Sequence, residues 1–223
     1  MANSRPAVLF DIDGTLVDSN YLHVHAWQRA FAEVGLPVQA WHIHRSIGMD
    51  GATLVDELSQ GAPGDVQKRL KDLHTRYYQA GAALLTTLPG ARRLLRTVAE
   101  CDLQVVLATS APEDELALLR STLDCDDVVS AITSSADVER AKPNPGIVEV
   151  ALAKAGVSAE RAVFVGDAVW DVEASGRAGV PCIAVLSGGV SRCELEEAGA
   201  AAVFDDPEDL REHLGETAIT TLR

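Results

Sequence analysis

The sequence is short of several things, and each shortage removes a class of protein. No apolar run approaches the roughly eighteen residues that a membrane-spanning helix needs, because the longest candidates are broken by Asp, Gly or Arg. No membrane partner is therefore expected. The four cysteines, Cys101, Cys125, Cys182 and Cys193, lie far apart with no CxxC pair. That excludes a zinc knuckle and argues against a disulfide framework in a chain this long, so they read as reduced thiols, mostly packing. Positive charge is scarce: 19 Lys+Arg stand against 33 Asp+Glu, a formal net charge of −14. Such a chain repels phosphate backbones and anionic lipid, so no nucleic-acid partner is expected. Repeats, low-complexity tracts and long charge runs are absent, which excludes solenoids and tails. The opening residues MANSRPAVLFDIDG lack the apolar core and small-residue cleavage site of a leader, and a cytoplasmic location is expected. Nothing speaks to oligomeric state.

What remains is the composition of a packed globular protein, with 47% hydrophobic and 23% charged residues in 223. Ala7-Val8-Leu9-Phe10 is a continuous apolar run that stops at Asp11, the pattern of a strand buried on both faces of a parallel sheet. Gln104 to Ala108, Ala162 to Val165, Cys182 to Leu186 and Ala201 to Phe204 resemble it, and Val128 to Ile132 is a weaker sixth. Helical stretches lie between them, including Ala91 to Glu100, Glu113 to Leu123, Gly146 to Ala155 and Val172 to Ala178. Alternating strand and helix predicts an α/β fold with a doubly wound parallel sheet. Residues 18–87 break the rhythm. They contain no β-like run and read as amphipathic helices, among them Ala26 to Val34, Ala52 to Leu58 and Val66 to Tyr78, punctuated by Gly35-Leu36-Pro37, Gly61-Ala62-Pro63-Gly64 and Leu88-Pro89-Gly90. Residues 1–17 and 88–223 are expected to form the α/β core, and 18–87 a smaller helical domain.

In an open parallel sheet, ligands bind beyond the carboxyl ends of the strands, so the residues that end each run are the informative ones. The first run ends Asp11-Ile12-Asp13-Gly14-Thr15, the second Thr109-Ser110, and the run at Val163 ends Gly166-Asp167, followed by Asp171; Lys142 sits in Ala141-Lys142-Pro143. Carboxylates converging at one sheet edge repel each other and persist where a cation offsets them. Carboxylate oxygens and water suit Mg²⁺, which commonly also binds phosphate. Thr109 and Ser110 add a hydroxyl and backbone donors at a loop leading into a helix, and Lys142 a fixed positive charge. Hard cation, ammonium and amide donors all address phosphoryl oxygens, so the set predicts a phosphate site. Asp, Gly and Ser at strand ends also serve as turns and caps. That explanation suits one position better than the whole ordered series.

Asp11-Ile-Asp13-Gly14-Thr-Leu-Val-Asp18-Ser, Leu-Ala-Thr109-Ser110, Lys142-Pro and Gly166-Asp167-Ala-Val-Trp-Asp171 resemble the four motifs of the haloacid dehalogenase (HAD) superfamily, in its phosphatase branch, over nearly the whole chain. The closest likeness is to phosphoglycolate-phosphatase-like and β-phosphoglucomutase-like members. The resemblance implies a Rossmann-like core with a small helical cap, and hydrolysis of a small phosphorylated metabolite. Carried over by position, it implies that Asp11 is the nucleophile and Asp13 the general acid/base. Mg²⁺ would be held by Asp11, the Asp13 backbone carbonyl and Asp167, with Asp171 behind them. Gly14, Thr109, Ser110 and Lys142 would bind phosphate, Thr109 and Lys142 also serving catalysis. A carboxylate attacking phosphorus gives an acyl phosphate, which divides one hard hydrolysis into two easier transfers, and Asp13 would protonate the departing oxygen. Dehalogenases of the superfamily lack an acid at the place of Asp13. Phosphonate-cleaving members would be expected to carry a Lys near the start of the cap, and 18–33 contains none.

By the same resemblance His23 and Trp27 occupy the places of a hinge His and a Trp; His23 is expected to act in the reaction and Trp27 to pack. Arg45, Gly48, Met49, Asp50 and Gly51 are expected to form a cap loop facing substrate. A mutase would place an Arg near Gly51 for a second phosphate. None stands there, which favours a plain phosphatase over a β-phosphoglucomutase-like phosphosugar mutase, although Arg45 could substitute. His23/His25 and His42/His44 diverge as i, i+2 pairs on a helix and are not read as metal sites. A receiver-like signalling module also clusters Asp, Thr/Ser and Lys. It lacks the DxD spacing and a helical cap.

Overall fold

A computed structural model describes residues 4–137 and 142–222, which leaves Ala141 and the residues just before it outside the described chain. Two compact units divide it. One comprises the residues up to Asp18 together with those from Thr86 on, and the other is Ser19–Leu85.

The first unit is built on six strands: β1 (Ala7–Phe10), β4 (Gln104–Ala108), β5 (Val129–Thr133), β6 (Ala162–Gly166), β7 (Cys182–Val185) and β8 (Ala202–Phe204). They form one sheet in the order β5-β4-β1-β6-β7-β8, with every neighbouring pair parallel. The doubly wound α/β architecture is thus present. All four side chains of β1 are fully buried, as are those of β7 and β6. Helices cover both faces of such strands, so their sequences are apolar throughout rather than alternating. The edge strands β5 and β8 are only partly buried. This is why Val128 to Ile132 is the weakest apolar run.

The helices of this unit are α5 (Ala91–Glu100), α6 (Glu113–Leu123), α7 (Gly146–Ala155), α8 (Val169–Arg177), α9 (Arg192–Ala198) and α10 (Pro207–Glu212). Helix α8 begins three residues earlier than its apolar spacing suggests, which puts Asp171 in its first turn. The short helices α9 and α10 do not show in the periodicity, yet both start on legible caps. Ser191 and Glu194 form a capping box, and Asp206 accepts from Glu208 and Asp209 ahead of Pro207.

Two corrections concern the helical segment. Thr86–Thr87 (β3) pairs antiparallel with Val17–Asp18 (β2), so 18–87 does include β structure at both its ends. Strands of two residues carry no readable alternation. The second unit consists of α1 (Asn20–Glu33), α2 (Ala40–Ser46), α3 (Gly51–Leu58) and α4 (Gly64–Ala80). Helix α2 buries only Ile43 and Ser46 and therefore shows no apolar face in the sequence. Arg45 lies on this helix, not in a loop; the loop is confined to the residues between α2 and α3. Phe31, Ile43, Leu54, Val55, Leu70 and Tyr78 form the unit's core. All four cysteines are free. Cys125 and Cys182 are buried as expected, but Cys101 and Cys193 are exposed. Among the described residues no helix is long and apolar enough to cross a membrane.

Candidate active site

The sheet's winding reverses at β1. From it the chain proceeds to β4 and β5 on one side and to β6, β7 and β8 on the other. Loops diverge at such a reversal and leave a crevice beyond the strand's carboxyl end, and Asp11 is the residue that emerges there. Its amide donates to Val165 O at 2.9 Å, which locks the end of β1 to the end of β6.

A buried charge cluster forms around it. Lys142 Nζ lies 2.6 Å from Asp11 Oδ1 and 2.6 Å from Asp171 Oδ1. Both acids and the lysine are almost wholly buried. The contact with Asp11 is a well-directed hydrogen bond; that with Asp171 is an ion pair whose angle falls short of one. Asp171 Oδ2 in turn accepts from the amides of Asp167 (3.1 Å) and Ala168 (3.0 Å). One carboxylate therefore caps the start of α8 and neutralises Lys142. Asp167 joins from the turn after β6, its Oδ1 accepting from Thr15 Oγ1 at 2.8 Å. Asp11, Asp167 and Asp171 each bring a carboxylate oxygen within 4.8 Å of the others.

Burial dominates the electrostatics. Removal from water raises the Asp11 pKa to about 7, with Lys142 opposing and Asp171 and Asp13 assisting the rise. For Lys142, burial alone favours the neutral amine, but the two carboxylates outweigh it and its pKa is raised.

Two glycines make room for this arrangement. A Cβ at Gly166 would stand 2.5 Å from Asp171 Cγ, and one at Gly188 would stand 1.8 Å from Asp167 Oδ2. Gly188 follows β7, and its neighbour Ser187 donates from Oγ to Gly14 O at 2.7 Å. Thr15 entered the sequence reading only as the end of the first strand-end series, and Ser187 and Gly188 did not enter it. Applying the strand-end rule to Cys182 to Leu186 as well points to the last two.

The remaining strand-end residues are placed as follows. Asp13 is half-buried and forms a bridge with Val17. Thr109 is buried at the end of β4, its Oγ1 accepting from Ala111 N at 3.0 Å and its carbonyl from Thr133 Oγ1 at 3.0 Å; Ser110 follows, half-buried. In the helical unit, His23 is buried on α1, Arg45 is exposed on α2, and Gly48 and Met49 are half-buried. Asp50 is engaged locally. Its carboxylate caps α3, accepting from Ala52 N, Thr53 N and Thr53 Oγ1 at 2.7 to 2.9 Å.

A buried Asp cluster on a lysine, at the reversal point of a parallel sheet, defines the class. The chain belongs to the haloacid dehalogenase-like hydrolases, whose family model matches residues 8–185, and it is a phosphatase of that family. Among its relatives is the phosphoglycolate phosphatase of Rhodospirillum rubrum, 32% identical over 219 residues, covering 94% of this chain and 90% of the relative. A hydrolase from Pseudomonas syringae has a similar structure, with a TM-score of 0.91 and 36% identity, over 95% of this chain and 99% of that one. A candidate beta-phosphoglucomutase from Bacteroides vulgatus follows at 0.88 and 25%, over 99% and 91%.

Proposed function

We propose that the chain hydrolyses a small phosphomonoester, a sugar phosphate or a phosphoglycolate-like metabolite, in a Mg²⁺-dependent reaction that passes through an aspartyl-phosphate on Asp11. The observation that carries the reading is the buried trio in which Lys142 Nζ lies 2.6 Å from both Asp11 and Asp171. Lys142 holds the Asp11 carboxylate by one oxygen and fixes its direction for attack on phosphorus. Asp13, two residues on and half-buried, protonates the departing ester oxygen and takes a proton from the water that releases phosphate. Thr109 and Ser110, at the end of β4, receive the transferred phosphoryl oxygens, with Lys142 supplying positive charge.

The donor set fits Mg²⁺: hard carboxylate oxygens converge, and one ammonium leaves them under-neutralised. Asp11, the Asp13 carbonyl and Asp167 would hold the ion. Asp171 stays outside that set, because its oxygens are already taken by Lys142 and two amides. Bound there, Mg²⁺ supplies charge to the phosphate. The helical unit acts as the specificity-giving cap, and His23 takes part in timing proton transfer. The curated relative's substrate favours phosphoglycolate-like acids, and the solved structure from Bacteroides vulgatus keeps a phosphosugar mutase as the runner-up.

Acid-quenching a reaction on ³²P-labelled substrate tests the route. Label is expected on wild-type protein and absent from Asp11→Asn; an unlabelled wild type under turnover sinks the intermediate. Activity indifferent to EDTA sinks the metal. Label appearing on a second sugar position rather than in free phosphate favours the mutase. A panel of phosphorylated metabolites then ranks substrates by kcat/KM.

A further inference from the structure

Strand β5 lies at the edge of the sheet, and its burial runs against its chemistry. Its apolar residues Val129, Ala131 and Ile132 are only partly covered, while Thr133, at its carboxyl end, is fully buried. A hydroxyl withdrawn from water needs a partner, and Thr133 finds one outside its own strand: its Oγ1 donates to Thr109 O at 3.0 Å. The parallel pairing of β4 with β5 ends at Ala108 and Thr133, so this side chain carries the pairing one residue past the strands. A second bond continues it, from Ser135 N to Ala111 O at 3.1 Å. The turn 109–111 after β4 is thus laced at both ends to 133–135.

The lacing is itself anchored. Lys154 of α7 donates from Nζ to Ile132 O at 2.8 Å and to Asp137 Oδ2 at 2.8 Å, and the same Asp137 oxygen accepts from Ser134 N at 2.8 Å. The residues on either side of Thr133 are therefore tied to one ammonium. Within the turn, Thr109 Oγ1 accepts from Ala111 N at 3.0 Å. A hydroxyl has one proton and two lone pairs. With an amide proton on one lone pair, the hydroxyl of Thr109 directs its own proton away from that amide, and it meets a phosphoryl oxygen as a donor.

We propose that Thr133 is a positioning residue for phosphate binding: by holding the Thr109 carbonyl from β5, it sets the Thr109 hydroxyl as a donor to the phosphoryl group. The carbonyl bond fixes the peptide plane and the Ala111 amide fixes the hydroxyl, so each holds what the other leaves free to turn. Thr133 lies outside the four motifs and acts through Thr109 without touching substrate. The proposal rests on the reading that Thr109 receives the phosphoryl oxygens.

Thr133→Val keeps the branched shape and removes the donor, which leaves the Thr109 carbonyl without it. ¹⁵N-labelled full-length protein is titrated with inorganic phosphate in the presence of Mg²⁺ and followed in ¹H–¹⁵N spectra. Thr133→Val is expected to bind phosphate about tenfold more weakly, the order of one lost hydrogen bond, with faster exchange of the Ala111 and Ser135 amides and a similar fall in kcat/KM. Thr133→Ser keeps the hydroxyl and should stay within about twofold of the wild type. Lys154→Met loosens the same strand end from the surface and should weaken phosphate binding in the same direction, which covers the case in which the Val variant folds poorly; unchanged binding in Lys154→Met counts against the proposal there. A Thr133→Val protein that loses thermal stability yet binds phosphate as the wild type does carries only a structural hydroxyl, and the proposal is overturned. Thr109→Val separates the proposal from the reading beneath it. If Thr109→Val weakens phosphate binding and Thr133→Val adds little on top of it, the two act as one unit. If the two losses add in full, Thr133 does not work through the Thr109 hydroxyl, and the proposal falls while the reading of Thr109 stands. If Thr109→Val binds phosphate and turns over as the wild type does, both fall.

Discussion

Burial sets the Asp11 carboxylate against its own charge. Its pKa is raised from 3.8 to about 7, chiefly by desolvation, so in metal-free protein the charged form is a cost that the unfolded chain does not bear. A raised acid contributes stability that is complete below its unfolded pKa and lost as pH rises through the folded value. Ionisation of Asp11 should therefore subtract progressively from the stability of metal-free wild type between about pH 4 and 7, a contribution absent from Asp11→Asn, which cannot ionise. The variant's advantage in urea unfolding is expected to be near zero at pH 4 and roughly 2 to 4 kcal/mol at pH 8, while its turnover falls at least about a thousandfold. An advantage that shrinks with rising pH contradicts this account. Gly188 is constrained by space. Gly188→Ala places a Cβ where Asp167 Oδ2 lies, so the carboxylate must turn away, and roughly a hundredfold loss of kcat/KM is expected from misplacement on that scale. The same substitution at exposed Gly199, which has open space but a positive φ, should affect stability and leave kcat/KM alone. Residues of this kind show where the sequence stops being readable. Asp11 and Asp167 announce themselves because each ends a recognisable apolar run, and Asp171 and Lys142 because they complete the ordered series of motifs with them. Thr15 and Gly188 matter through what they touch, and the partner of Thr15 lies 152 positions away in the chain.

Elements were legible in proportion to their burial and length. The interior strands β1, β4, β6 and β7 read as unbroken apolar runs because helices cover both their faces, and α5, α6 and α7 were bounded correctly from their apolar spacing. Helix α2 and the two-residue strands were invisible, since seven residues burying two side chains, or strands of two, give a periodicity nothing to act on. Asp50 has a structural role that its place in the series did not show. It read as a substrate contact, and in the structure it is the N-cap of α3. Asp50→Ala should cost about 1 kcal/mol in thermal unfolding and Asp50→Ser almost nothing. A loss of substrate affinity shared by both variants would return Asp50 to the binding site. Helix α6 is held from outside: Arg92 of α5 donates to Leu123 O and Thr122 O at 2.8 and 2.9 Å, the carbonyls a helix end leaves unpaired. Arg92→Met keeps the stem and should lose about 1 to 2 kcal/mol. Between α1 and α4, His74 is held neutral by burial, so its folded pKa lies below the unfolded one. Below about pH 6.5 the unfolded chain takes a proton the native chain refuses, and stability declines. His74→Phe should flatten that slope, measured as unfolding free energy from pH 8 to 5.

The charge of the whole molecule is unevenly shared. From Asp18 to Leu88 there are six basic and seven acidic side chains, so nearly all of the net −14 belongs to the rest of the chain, which also holds the Asp cluster. An acidic body of this kind gathers divalent cations diffusely as well as at any defined site, and the two can be separated. Diffuse attraction is screened over about 8 Å at physiological ionic strength; it has no saturation point and does not depend on one carboxylate. Binding at a site raises stability by RT ln(1 + [Mg²⁺]/Kd), about 2.7 kcal/mol at a hundredfold excess over Kd. Thermal unfolding at fixed ionic strength, with Mg²⁺ replacing Na⁺, should therefore show a logarithmic rise in the midpoint. In Asp167→Asn that rise should be largely absent, because one of the converging carboxylates no longer carries charge. Asp205→Asn, which removes the same charge from an exposed position outside the cluster, should respond to Mg²⁺ as the wild type does. Equal responses in all three proteins would mean that the ion only screens the surface, and the acidic cluster would then have to be explained by Lys142 alone.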